Sequence, residues 1–186
     1  MTIIIGAVLL LASQAVPPQP QLVAAVVHPY ADEESESRAV FATPVSLPSN
    51  VTLADGYDDL VEAMLRSSPT FRAQCSRLGG ATELHVLVRR SLLASPQSAM
   101  TRLVRQRDGH IEAEVEIGMF GEGALLIAHE FEHIIEQLDG VDLPALADRH
   151  DTGVRADPRT GHFETERAIA IGQRVAREVT RAVARR

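Results

Sequence analysis

The period of the hydrophobic positions changes twice along this chain, separating two short helices, a run of strands and a second helical region. From Tyr57 onward, Leu60, Val61, Met64 and Leu65 fall at the i, i+3, i+4 spacing of a helix with one apolar face. Ser68-Pro69 then offers an N-cap followed by proline at the first helical position, predicting a second helix that runs to about Leu78 and stops at Gly79-Gly80. Between Glu83 and Gly118 the period drops to two. Leu84, Val86 and Val88 alternate, as do Leu103 and Arg105, and then Ile111, Ala113, Val115 and Ile117 against Glu112, Glu114 and Glu116. Asp108-Gly109 between the last two runs is a hairpin turn signal. The expectation is a small antiparallel sheet with one wet face.

Helical spacing returns from Gly121 to Leu138, closed by Asp139-Gly140, and a loop region containing Pro144, Gly153, Pro158 and Gly161 follows. A last helix is predicted from Phe163 to about Ala184. Its apolar stripe is Ala168, Ile171, Val175, Val179 and Val183, with Arg174, Arg177, Glu178 and Arg181 largely outside it. The fold class expected is therefore α+β, with the small sheet packed on the Gly121–Leu138 helix and the C-terminal helix.

Upstream of Tyr57 the pattern differs. Residues 3–15 form a short apolar run ending in Ser13-Gln14-Ala15, a small-x-small end that a signal peptidase accepts, so residues 1–15 read as a signal peptide although no Arg or Lys precedes the run. It is shorter than the roughly 20 apolar residues that span a bilayer, so no stable membrane insertion is expected once the leader is cleaved. Residues 16–56, rich in Pro, Ser, Ala and acidic side chains, read as an arm or linker, and residues 57–186 as the folded domain. A secreted or periplasmic location follows from the leader. Asn50-Val51-Thr52 matches a glycosylation acceptor, which matters only in a eukaryotic secretory pathway.

With 186 residues the chain holds one ordinary domain, and with 4% aromatic residues and no Trp its core must be aliphatic. A formal net charge of −7 argues against nucleic acid as a partner, because phosphate binding needs a basic surface. The single cysteine, Cys75, has no partner for an internal disulfide and reads as a small buried hydrophobe.

The chemistry lies on the Gly121–Leu138 helix. His129 and His133 are four residues apart, so their imidazoles leave one helix face a turn apart and can meet on one metal ion. Glu130 lies about 100° round the helix from His129, beside the ion rather than on it. From there it can take a proton from a water activated by zinc and pass it to a leaving amine. Leu125-Leu126-Ile127-Ala128 before the motif and Ile134-Ile135 after it would bury this part of the helix.

Ala128-His129-Glu130-Phe131-Glu132-His133 resembles the zinc-binding helix of the zincin metallopeptidases, and the likeness covers that helix and its surroundings, residues 83–186. The resemblance implies that His129 and His133 bind Zn2+, that Glu130 is the general base, and that the substrate is a peptide or protein. A catalytic zinc needs a third protein ligand and one open position. In the metzincin branch a Gly three residues after the second histidine breaks the helix and the ligand follows three residues later; here Glu136 and Asp139 occupy those positions, which leaves Asp139 badly aimed. In the gluzincin branch the ligand is a Glu on a later helix. Phe163-Glu164-Thr165-Glu166-Arg167-Ala168 resembles that arrangement, which implies Glu164 as the third ligand, with Glu166 or Asp139 as alternatives. Ala168 stands where that branch often carries an Asp that orients the first histidine, so another carboxylate, Glu136 or Asp139, is expected to hold a metal-bound imidazole.

His28, His85 and His110 read as surface or packed residues, whereas His150 and His162 fall in the loop that must deliver Glu164 and are candidates for oxyanion stabilisation. The leading expectation is a zinc-dependent hydrolase of peptide bonds, with Ile111–Ile117 as an edge strand that takes an extended peptide. A non-catalytic metal-binding or interaction domain on a zincin-like core is the alternative, and an accidental motif the third reading.

Overall fold

The computed structural model describes residues 46–54, 56–91, 99–119, 121–157 and 161–185. The leader, most of the arm and His28 lie outside the described residues. In chain order the elements are β1 (Val51–Leu53), α1 (Asp58–Ser67), α2 (Pro69–Gly79), β2 (Leu84–Ser91), β3 (Ala99–Arg105), β4 (Ile111–Gly118), α3 (Gly123–Leu138), α4 (Leu143–Ala147), β5 (Val154–Ala156), β6 (Phe163–Thr165) and α5 (Glu166–Val183). The architecture is α+β, as the periodicities predict. No helix among the described residues is long and apolar enough to cross a membrane.

The main sheet has the order β1-β2-β4-β3 and is mixed, which corrects the antiparallel expectation. β1 runs parallel to β2 and β2 parallel to β4, and β3 pairs antiparallel with β4 through the hairpin at Asp108-Gly109. Alternation along a strand reports that one of its faces is wet. It does not report the direction of the neighbouring strand. Parallel pairing arises here because α1 and α2 form the crossover between β1 and β2.

β1 itself lies in the stretch that composition assigned to the arm. Val51 is buried in the core, and the side-chain amide of Asn50 reaches the carbonyl oxygens of Leu78, Ala81 and Leu84 at 3.0–3.2 Å. Asn50 thus ties the start of β1 to the end of α2 and the start of β2, so its amide is engaged in the fold.

One face of the sheet carries the core. Val86, Val88, Ile111, Val115 and Ile117 meet Met64, Phe71 and Leu78 from the first two helices and Ile127, Phe131 and Ile134 from α3. Phe71 and Phe131 stack with ring centroids 5.6 Å apart. The opposite face is polar, with Arg89 paired to Glu114 and Glu116 and Arg102 paired to Glu114. Because β4 is flanked on both sides, the expected edge strand Ile111–Ile117 is central, and among the described residues the edge beside it is β3.

Two contacts fix α3, the element that carries the histidines. Behind it, the Gln74 amide donates 2.8 Å hydrogen bonds to the Ala128 carbonyl and to the buried Glu132 carboxylate, which also accepts from Arg167 of α5 at 2.6 Å. Across it, α5 passes so closely that a Cβ added at Gly172 would come within 2.8 Å of the Leu125 carbonyl oxygen and 3.1 Å of the His129 Cβ. Only a residue without a side chain permits this crossing.

Candidate metal centre

Helical geometry brings His129 and His133 together as their spacing requires. Their rings lie 4.8 Å apart between centroids, nearly perpendicular, and the two Nε2 atoms approach to 3.1 Å. Both side chains are mostly enclosed, at 12% and 13% exposure, so the nitrogens face a partly dehydrated space.

Glu164 reaches this pair from another element. The sequence pattern extends the last helix back to Phe163, but residues 163–165 form β6, which pairs antiparallel with β5, and α5 begins only at Glu166. Thr165 is the N-cap of α5: its hydroxyl accepts from the Ala168 amide at 2.9 Å. A residue in extended conformation just before the cap projects differently from one in the first helical turn. Glu164 Oε1 consequently sits 3.2 Å from His129 Nε2 and 3.6 Å from His133 Nε2.

Three donor atoms at about 2.0–2.2 Å from a tetrahedral zinc ion stand roughly 3.3–3.6 Å from one another. The separations of 3.1, 3.2 and 3.6 Å found here are close to that requirement. Two imidazole nitrogens and one carboxylate oxygen are also a donor set that suits zinc. These three residues form the one group of His, Cys, Asp or Glu side chains among the described residues with ligand atoms close enough to share an ion.

The alternatives to Glu164 are engaged elsewhere. Asp139 Oδ1 pairs with Arg77 at 2.9 Å, and its other oxygen faces Arg167 at 3.6 Å. The Glu166 carboxylate lies against Gly153 of the loop before β5.

Glu136 is the carboxylate that holds an imidazole of the pair, and it holds the second histidine rather than the first. Its Oε2 lies 3.0 Å from His133 Nδ1, while its Oε1 accepts from the Thr165 hydroxyl at 2.8 Å. Glu136 and Thr165 are both buried, so this chain of hydrogen bonds links His133 to the strand that supplies Glu164. Such a link fixes the imidazole orientation and leaves Nε2 directed toward His129 and Glu164.

Glu130 is 4% exposed. Its Oε1 lies 4.0 Å from His129 Nε2, and its Oε2 accepts a 2.7 Å hydrogen bond from the Thr101 hydroxyl on β3. Glu130 therefore stands beside the three donors without joining them.

The electrostatics of the site follow from burial and from these pairings. Burial pushes the Glu130 carboxyl above its usual range, with the Thr101 hydroxyl and then the two imidazoles pulling it part of the way back. For His133, burial works downward, but hydrogen bonds to Glu136 and Glu164 outweigh it and hold the imidazole up at about 9. Burial would raise Glu164, yet His129 and His133 hold its carboxyl well below the usual carboxylate range. The cluster thus favours positive charge at its centre, the charge a divalent cation would carry.

The remaining histidines among the described residues do not join the cluster. His85 and His110 are exposed, His85 lying 3.4 Å from Thr52, and His150 and His162 are exposed residues of the segment between α4 and β6. Sequence reasoning missed Thr101, Thr165 and Gly172. Thr101 carried a readable signal, because Ala99, Thr101 and Leu103 alternate, placing one hydroxyl in an otherwise apolar series. No family model, curated protein or solved structure matches this chain.

Proposed function

We propose that this chain is a zinc-dependent hydrolase, and specifically a peptidase of the zincin type, in which His129, His133 and Glu164 hold the ion and Glu130 is the general base. The observation that carries the reading is the arrival of Glu164 Oε1 at 3.2 and 3.6 Å from two imidazole nitrogens, with a buried carboxylate next to them that is not a ligand. A purely structural zinc site closes its coordination with four protein donors, whereas three donors plus a neighbouring base is the composition of a catalytic one.

Zinc, when bound, supplies a Lewis acid that brings the pKa of water toward neutrality and polarises a carbonyl. Glu130 accepts the proton of the attacking water at Oε1, the oxygen not held by Thr101. As the carbon–nitrogen bond of the substrate breaks, Glu130 returns that proton to the leaving amine nitrogen, which restores the carboxylate. Glu136 keeps the His133 ring in place throughout. An extended peptide pairing with the free edge of β3 would pass beside Glu130, so the strand-addition surface in this reading is β3. The apolar leader supports action outside the cytoplasm.

The test compares zinc-loaded wild type with Glu130→Gln on a fluorescently labelled unfolded protein. Wild type cleaves it, loses activity to a chelator and regains it with zinc. The variant retains zinc and loses roughly 100-fold to 10,000-fold in turnover. Turnover retained by Glu130→Gln excludes Glu130 as the base.

A further inference from the structure

Resting on the hydrolase reading, we infer that Thr101 is a positioning residue for Glu130, fixing one carboxylate oxygen so that the other faces the water to be deprotonated. Thr101 stands opposite Val115 in the β3–β4 ladder, and Val115 is fully buried, so the Thr101 side chain leaves the sheet on the face that packs against the helices. A hydroxyl there lies on an apolar face, between Ala99 and Leu103, both of which pack against the core. Its partner is the Glu130 carboxylate at 2.7 Å.

The geometry distinguishes the two oxygens of Glu130. Oε2 is held by Thr101, and Oε1 is the oxygen 4.0 Å from His129 Nε2, on the side of the three donors. The anchor is stiff. Threonine is β-branched and has few χ1 choices, and its backbone is locked into the ladder with β4. Without the hydroxyl, the carboxylate can rotate about its terminal torsion, which is broad and nearly two-fold, and Oε1 loses its fixed direction. A bond between a neutral donor and a buried carboxylate is among the stronger hydrogen bonds, so its loss should be visible in rate.

Thr101 lies on the open edge strand, whereas all three ligands lie on α3 and β6. Removing its hydroxyl should therefore alter turnover without altering metal binding. A residue that merely supported the fold would change stability and zinc affinity together.

The experiment measures kcat, KM, zinc affinity by chelator competition and the thermal midpoint for wild type, Glu130→Gln, Thr101→Val and Thr101→Ser, using the labelled unfolded protein as substrate. Thr101→Val, which keeps shape and removes the hydroxyl, is expected to lower kcat roughly 10-fold to 100-fold, with KM and zinc affinity within about threefold of wild type. Thr101→Ser restores kcat to within about fivefold of wild type. If wild type and Glu130→Gln cannot be told apart, the hydrolase reading falls and this inference falls with it. If they differ but Thr101→Val turns over like wild type, only the role of Thr101 is overturned. A Thr101→Val protein that loses stability and zinc affinity in step with kcat, with no rescue by Thr101→Ser, also overturns it.

Discussion

His129 Nε2 and Glu164 Oε1 lie 3.2 Å apart although one belongs to α3 and the other to a short strand preceding α5. That approach converts a two-histidine motif into a three-donor site. It depends on the β5–β6 hairpin, which holds Glu164 in extended backbone, and on the cap at Thr165, which starts the helix one residue later. If α5 began earlier, Glu164 would turn with the helix and leave the imidazoles.

The choice of third ligand is directly testable. Chelator-competition titrations should show that Glu164→Ala weakens zinc binding by more than about a hundredfold, because a ligand matters more than a supporting residue. Glu166→Ala and Asp139→Ala should stay within about threefold of wild type, since neither carboxylate is among the donors. Equal losses in Glu164→Ala and Glu166→Ala would contradict the assignment.

Glu136 should matter next. Glu136→Gln keeps the shape but weakens the hydrogen bond to His133 Nδ1, and zinc affinity is expected to fall by about 10-fold to 100-fold in the same titration. Thr165→Val removes both the bond to Glu136 and the α5 cap. It should therefore combine a smaller loss of zinc affinity with a loss of about 1 kcal/mol in stability, read by urea denaturation.

At Gly172 the prediction concerns packing. Gly172→Val places atoms against the Leu125 carbonyl and the His129 Cβ, so the helices must separate where the first ligand is rooted. A destabilisation of about 1–3 kcal/mol in denaturant, accompanied by weaker zinc binding, is the expected outcome. Unchanged zinc affinity would show that His129 tolerates movement of α5.

Cys75 is buried on α2, and burial pushes its thiol up to about 12. The raised pKa disfavours the nucleophilic thiolate at neutral pH, so the native protein should react with a thiol reagent far more slowly than the urea-unfolded chain. Rapid labelling of the native protein at pH 8 would contradict this.

Much of this site was legible in the sequence because its central motif is local. The spacing of His129, Glu130 and His133 on one helix survives translation into three dimensions, since a helix fixes which side chains share a face. The four longer helices and the β3–β4 hairpin were legible for the same reason, their periods and turn residues being local signals, whereas the short α4 falls in the stretch expected as loop. What was not legible depended on distant partners. The direction of β2 relative to β4 is set by a crossover, and β1 is only three residues long in a Pro- and Ser-rich setting, its role visible only once Val51 pairs with Val86. Glu164 was identified through a resemblance that put it on a helix, while the structure puts it on a strand. The alternation of β3 puts Thr101 on the core face but does not name Glu130 as its partner, and the contact of Gly172 with α3 is encoded by no period in its own segment.

The most direct test of the zinc site is a crystal structure of the zinc-loaded protein with anomalous data collected at the zinc edge. The account predicts one ion at about 2.0–2.2 Å from His129 Nε2, His133 Nε2 and a carboxylate oxygen of Glu164, with one position left to solvent. An ion held by other residues, or no anomalous peak between these three side chains at saturating zinc, would contradict it.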